Sequence, residues 1–303
     1  MRDAKGAAIA IDAPAKVNLY LHITGRRADG YHELDSLFVR AGVADRLSLH
    51  PSDRLSLDVA GPFASALSTG DNLVLAAARR LADEVARLPQ AAIHLDKNLP
   101  VAAGLGGGSA DAAAALAGLA RLWQVRIGRD RLLAIAAELG ADVPACLERH
   151  PLQVSGIGER LRPAPDLPPV WLVLVNPGLA LPTADVFRKF DGGFSPAMPI
   201  AETPADAAQL AAALRARCND LEPAAVALAP DIAEVLQVLR DEPGVLLARM
   251  SGSGATCFGL TATGAEAAAA AQRIGRARPG WWVAAAPVLT SAADALPLGL
   301  GNR

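Results

Sequence analysis

Two glycine clusters hold the residue types in this chain best suited to handling a phosphorylated ligand. The denser one reads Pro100-Val-Ala-Ala-Gly104-Leu105-Gly106-Gly107-Gly108-Ser109-Ala-Asp-Ala112. Four glycines in five residues let backbone approach a ligand closely and adopt positive φ. The alanine-rich stretch that follows predicts a helix over about residues 110–122, whose free N–H groups and dipole favour an anion. A phosphate loop and a flexible strand-to-helix connector both fit that pattern. Two familiar loops do not fit. Gly108 is followed by Ser109 and Ala110, which excludes the Gly-Lys-Ser/Thr ending, and Ser109 stands where G-x-G-x-x-G needs its last glycine. The second cluster, Met250-Ser251-Gly252-Ser253-Gly254-Ala255-Thr256, lies between apolar runs. A hairpin turn is its plainer reading and an anion nest the alternative.

Lys16 and Asn18 are two apart on a predicted strand over 17–23, so they share one face. Tyr20 and His22 extend that stripe, while Val17, Leu19, Leu21 and Ile23 form the opposite, apolar face. The stripe is either a solvated surface or part of a site. Asp142, in Leu139-Gly140-Ala141-Asp142-Val143-Pro144, could cap a helix with proline in its first turn. It could instead take a proton from a hydroxyl, with a nearby lysine keeping it ionised.

Other segments must position these residues. Strands are expected at 9–12, 17–23, 36–40, 46–50, 54–59, 91–95, 170–175 and 281–289, with a glycine-bounded turn at 24–30. Helices are expected at 72–88, with Asp71 as N-cap, at 131–139, stopped by Gly140, and at 205–217 and 230–240. Residues 245–260 read as strand, glycine turn, strand, and 191–204 as a loop. The proline-rich segment 162–169 is the best linker. Strands and helices alternate irregularly, which argues for an α+β chain of two domains rather than a doubly wound sheet. The length of 303 residues agrees.

Composition narrows the class. The chain is 52% hydrophobic and carries a net charge of −2, too apolar for disorder and without a global field for nucleic acid or an anionic membrane. No apolar run is long enough to span a bilayer, and the apolar stretch before Asp12 is too short for a secretory signal. Three widely spaced cysteines argue against a disulfide scaffold or a cysteine-rich zinc site and fit a reducing cytoplasm.

Taken together, Ala13-Pro14-Ala15-Lys16-Val17-Asn18-Leu19, the loop PVAAGLGGGSADA and the segment RMSGSGATCFGL resemble, in order, the three signature regions of the GHMP small-molecule kinases. KVNLYLHITGRRADGYHELDSLF, GLGGGSADA, LGADVPACL and GIGERL are most similar to the branch acting on a cytidine diphosphate-linked methylerythritol in non-mevalonate isoprenoid synthesis. The resemblance runs from about residue 14 to residue 259. It implies an N-terminal domain over 1–165 with ribosomal-protein-S5-domain-2-like topology, a C-terminal α+β domain over 166–303, and an active site between them. It implies ATP phosphates on Gly104, Leu105, Gly106, Gly107, Gly108 and Ser109, with Asn72 near the nucleotide. Asp142 would be the general base and Lys16 its neighbour. Asn18 would position the substrate, Tyr31 would stack on the cytosine and His32 would bond its edge. Magnesium would accompany ATP, but Gly107 and Gly108 stand where the wider superfamily offers serines, so no metal ligand is assigned. The implied protein is a cytoplasmic enzyme, monomeric or homodimeric, with a small-molecule substrate and no nucleic-acid or membrane partner. A homoserine- or mevalonate-type kinase and a catalytically silent sensor are the competing readings.

Overall fold

The computed structural model describes residues 8–67 and 72–290. In chain order the elements are β1 (Ile9–Arg26), β2 (His32–His50), β3 (Leu55–Ala60), α1 (Leu73–Glu84), β4 (Ala91–Asp96), α2 (Gly107–Leu122), α3 (Arg129–Leu139) and α4 (Val143–Leu147). There follow β5 (Leu152–Gly156), β6 (Arg160–Pro163), β7 (Trp171–Asn176), α5 (Thr183–Lys189), α6 (Ala207–Arg215), α7 (Glu222–Leu228) and α8 (Asp231–Asp241). The chain then forms β8 (Val245–Met250), β9 (Cys257–Thr261), α9 (Gly264–Ala277) and β10 (Trp282–Leu289).

The main strand order is β3-β4-β2-β10-β7-β9-β8, with β1 also paired to β2 and the β5–β6 hairpin attached to β2 through β5. Only β3 and β4 run parallel among these pairs, in keeping with an α+β chain. The last strand joins the two halves. β10 pairs with β7 from Trp282↔Asn176 to Pro287↔Trp171, then with β2 at Val288↔Ala41 and Leu289↔Arg40.

Several expectations change in detail. The segments 9–12 and 17–23 belong to one strand, β1, and 36–40 and 46–50 to another, β2. Register shifts between Pro14 and Lys16 and between Asn18 and Tyr20 absorb the proline and re-aim the polar residues. The turn shrinks to the end of the expected segment, where Arg27 N–H donates to the Tyr31 carbonyl at 2.8 Å. Asp71 lies outside the described residues, and Asn72 caps α1. The proposed linker begins inside β6.

The stripe Lys16, Asn18, Tyr20, His22 is not solvated, since all four residues are buried. Residues 191–204, free of helix and strand as expected, cover its second half. Ser195 N–H donates to the Ile23 carbonyl at 2.9 Å, and His22 Nδ1 lies 3.2 Å from the Pro196 carbonyl. Asp35 accepts Met198 N–H at 2.6 Å and the Tyr20 hydroxyl at 3.0 Å.

Helix α2 is alanine-rich because it is buried from Ala110 to Ala120. A Cβ at Gly118 would stand 2.7 Å from Leu49 Cδ1, so the helix lies too close to the sheet for larger side chains there. The hairpin β5–β6 and helices α5, α7 and α9 were not expected from periodicity. Helix α9 carries a capping box, with Thr263 Oγ1 accepting Glu266 N–H at 3.2 Å and Glu266 Oε2 accepting Thr263 N–H at 2.9 Å. Thr263→Ala should lower unfolding free energy by about 1 kcal/mol, read from urea denaturation.

Candidate active site

A cavity of about 980 Å³ opens among β1, the 104–109 loop, α4, α5 and the β8–β9 turn. The dense glycine cluster forms the N-terminus of α2. Gly106 is its N-cap at φ 59°, and Ala110 N–H donates to the Gly106 carbonyl at 2.9 Å. The amides of Gly107, Gly108 and Ser109 therefore have no acceptor within the helix. No acidic residue stands in the first turn to oppose an anion.

Two of the glycines are required by close approach. At Gly104, with φ 74°, a Cβ would stand 2.3 Å from the Ser251 carbonyl oxygen. At Gly106 it would press on the Lys16 stem at 3.2 Å. The second glycine cluster is the turn between β8 and β9, as its hairpin reading held, and it braces the first. Thr256 N–H donates to the Ala103 carbonyl at 3.1 Å, and Ser251 Oγ donates to the Gly104 carbonyl at 3.0 Å. Asn18 N–H donates to Ser251 Oγ at 3.2 Å and Lys16 N–H to the Leu105 carbonyl at 2.8 Å. Asn219 fixes the turn from behind, its Nδ2 donating to the Met250 and Gly252 carbonyls at 2.8 Å each.

Lys16 is 7% exposed, yet its ammonium reaches the cavity. It donates to Asn18 Oδ1 at 2.9 Å and pairs with Asp142 Oδ2 at 3.0 Å. Asn18 is itself fixed, its Nδ2 donating to Ser36 Oγ at 2.7 Å. Asp142 immediately precedes α4 but makes no side-chain cap bond. Its carboxylate is given to Lys16 instead, and 43% of its side chain remains open to solvent. Of its two sequence readings, helix cap is the one the geometry removes. A carboxylate beside a buried ammonium and open to a cavity can accept a proton from a bound hydroxyl.

Tyr31 and His32 also line the cavity. Tyr31 is 62% exposed. His32 packs against Phe187 with ring centroids 5.4 Å apart and 29° between planes, and Phe190 meets its edge at 5.6 Å. Burial, and then the nearby Arg26 charge, lower the His32 imidazole from its usual value. A neutral ring offers one donor and one acceptor.

Two expected residues lie differently. Asn72 does not line the cavity. Its Oδ1 accepts Val74 N–H at 2.9 Å, and the neighbouring Leu73 lines the wall. The Leu105 side chain is 1% exposed and packs in the core, so only its backbone belongs to the loop. Sequence reading missed Lys97, Thr183 and Phe187, all on the cavity wall, while Ser253 belongs to the second glycine cluster. Thr183 and Ser253 join their hydroxyls at 2.9 Å. Thr183 and Phe187 belong to α5, too short to show a helical period.

Backbone amides at a helix start stand here beside a lysine–aspartate pair in one cavity, an arrangement able to hold phosphate next to a proton acceptor. The GHMP kinases N terminal domain matches residues 72–149, and the GHMP kinases C terminal domain residues 200–279. The 4-diphosphocytidyl-2-C-methyl-D-erythritol kinase of Paramagnetospirillum magneticum is 55% identical over 92% of this chain and 98% of its own. That of Rhodospirillum rubrum is 52% identical over 90% of each. A crystal structure of 4-(cytidine 5'-diphospho)-2C-methyl-D-erythritol kinase shares 37% identity, covers 93% of this chain and 100% of its own, and superposes with a TM-score of 0.78. A homoserine kinase from Cytophaga hutchinsonii, at 18% identity and TM-score 0.74 over 96% of this chain and 98% of its own, shares the fold. The chain belongs to the 4-diphosphocytidyl-2-C-methyl-D-erythritol kinase family.

Gly104→Ala places a methyl against the Ser251 carbonyl and a side chain at positive φ. It should reduce kcat/KM by about ten-fold or more and lower the melting temperature, checked by steady-state kinetics and thermal denaturation.

Proposed function

We propose that this enzyme transfers the γ-phosphoryl group of ATP to the 2-hydroxyl of 4-diphosphocytidyl-2-C-methyl-D-erythritol, in the cytoplasm. The observation that carries this reading is the presence, in one cavity, of unpaired α2 amides, the Lys16–Asp142 pair and the Tyr31–His32 corner beside Phe187. The amides of Gly107, Gly108 and Ser109 receive phosphate oxygens at the positive end of α2. Tyr31 and Phe187 offer aromatic faces to the cytosine, and the neutral His32 matches its donor and acceptor edge. A homoserine or mevalonate acceptor has no use for such a corner, which favours the cytidyl substrate.

Asp142 takes the proton of the acceptor hydroxyl as its oxygen bonds to the γ-phosphorus, and the bond from that phosphorus to the β–γ bridging oxygen breaks to release ADP. Lys16, fixed by Asn18, offsets charge growing on the acceptor oxygen. Such a transfer rests on alignment and charge neutralisation more than on basicity.

Among the described residues no group of three or more His, Cys, Asp or Glu side chains could hold a metal ion. Magnesium arriving with the nucleotide keeps waters and phosphate oxygens and needs few protein ligands. Asp142 is the carboxylate beside the glycine loop that would face it, and the ion would neutralise phosphate charge. The domain division at residues 165 and 166 rests on the proline-rich segment 162–169, and the cytoplasmic setting on the free cysteines Cys146, Cys218 and Cys257.

Purified protein given ATP, Mg²⁺ and the cytidyl alcohol should release ADP, while mevalonate and homoserine should not support turnover. Activity confined to those two alcohols would overturn the substrate assignment, and silence with all three would favour a sensor. Asp142→Asn should cut kcat by about 100-fold or more and leave substrate affinity within a few-fold. Near-normal turnover would remove Asp142 from the chemistry. Tyr31→Ala should chiefly raise KM for the cytidyl alcohol, by about ten-fold, through lost stacking.

A further inference from the structure

Three charged side chains outside this chemistry meet beneath the glycine loop. Lys97 follows β4, Asp45 belongs to β2 and Asp111 to α2, and their side chains are 2%, 0% and 4% exposed. The Lys97 ammonium donates to Asp45 Oδ2 and, at 2.7 Å, to Asp111 Oδ2. Asp45 Oδ1 accepts Asn98 N–H at 2.6 Å and Leu99 N–H at 2.8 Å, which fixes the chain entering the loop. The Lys97 backbone is held too, its N–H donating to the Ala60 carbonyl at 2.7 Å. One ammonium thus joins β2, the end of β4 and the start of α2.

Its place relative to the loop is close. A Cβ on Gly107 would stand 3.0 Å from Lys97 Nζ and 3.5 Å from Asp45 Oδ2, and Lys97 itself reaches the cavity wall. Position 107 is therefore glycine so that the loop can rest on this cluster.

Stability alone does not account for the arrangement. Buried charges are expensive to desolvate, and apolar side chains of similar volume commonly do as well. Asp111 Oδ1 has no hydrogen-bond partner, so the network is incompletely satisfied. Burial pushes the Asp111 carboxyl up to about 7, against the pull of Lys97. Without the ammonium, two buried carboxylates would face each other directly under the place where phosphates bind.

We propose that Lys97 is a positioning residue for the nucleotide: seated under Gly107 between Asp45 and Asp111, it fixes the first turn of α2 and so the amides that receive the ATP phosphates. This rests on the reading of residues 104–109 as the ATP site. Its effect falls first on the nucleotide, because the acceptor contacts of Lys16, Asn18, Tyr31 and His32 lie on β1, the turn after it and the first residue of β2, away from the Lys97 cluster.

The test combines calorimetric titration with ADP and steady-state kinetics with ATP and the cytidyl alcohol, on the full chain. Lys97→Met is the direct variant. Lys97→Met/Asp111→Asn removes one charge of each sign, so it keeps the buried charge balance should the single variant fail to fold. Both should bind ADP at least about ten-fold more weakly and raise KM for ATP in step, with KM for the cytidyl alcohol within about two-fold. A folded variant with ADP affinity within about two-fold of wild type overturns the proposal, as does a parallel rise in both KM values. Wild-type protein that fails to bind ADP would instead overturn the ATP-site reading, and this proposal with it.

Discussion

The site depends on backbone meeting backbone where the two glycine clusters touch. Gly104 sits against Ser251 and Gly254 at distances no side chain tolerates, and Ala103, Gly104 and Leu105 all give their carbonyls to donors outside the loop. The donors come from Lys16 at one flank and from Ser251 and Thr256 at the other. With its carbonyls engaged this way, the loop turns its next amides, those of Gly107, Gly108 and Ser109, toward open space. The β8–β9 turn is thus a structural part of the proposed phosphate site, although its own residues need hold no phosphate.

The same contact explains why the two halves of the chain act together. Lys16 and Asn18 come from the first strand, but Asn18 N–H is held by Ser251, far along the sequence. Arg249 adds a tie, donating from its buried guanidinium to the carbonyls of Leu19, Leu214 and Arg217. Burial lowers its affinity for a proton, the nearby Glu222 charge opposes that, and three carbonyls accept from the guanidinium. Strand β10 completes the union by pairing with both β7 and β2. A displacement of the C-terminal half would therefore move Asn18, and with it the ammonium of Lys16.

What could be read in the sequence was governed by whether a local pattern matched the local environment. The glycine loop, α2, α3 and β7 have strong local signals and form close to where they were expected. The polar stripe on β1 stayed between two readings because alternation reports two kinds of face, not which one meets water. Its outer half is covered by residues 191–204, a segment whose contacts span the chain and leave no periodic trace. Asp142 was ambiguous for the same reason, since its partner Lys16 is remote in sequence. Helix α9 was different, because the Thr263 and Glu266 pair that caps it is a legible signal three residues apart. Helix α5, which supplies Thr183 and Phe187, spans only seven residues. It offers too few turns for an apolar face to show.

Net charge also takes on a different meaning once these contacts are known. A chain at −2 overall has no long-range field to gather polyphosphates. The attraction must therefore be local, and it is built from groups that net charge does not count: free amides at the start of α2 and the dipole behind them. The cations nearest those amides are already committed, Lys16 to Asp142 and Lys97 to Asp45 and Asp111. Ions so engaged contribute little net charge, but their positions are sharply defined. Under the proposed function, a site of this kind selects phosphate by geometry, holding amides where oxygens must lie, and its strength is set by how rigidly the loop is braced.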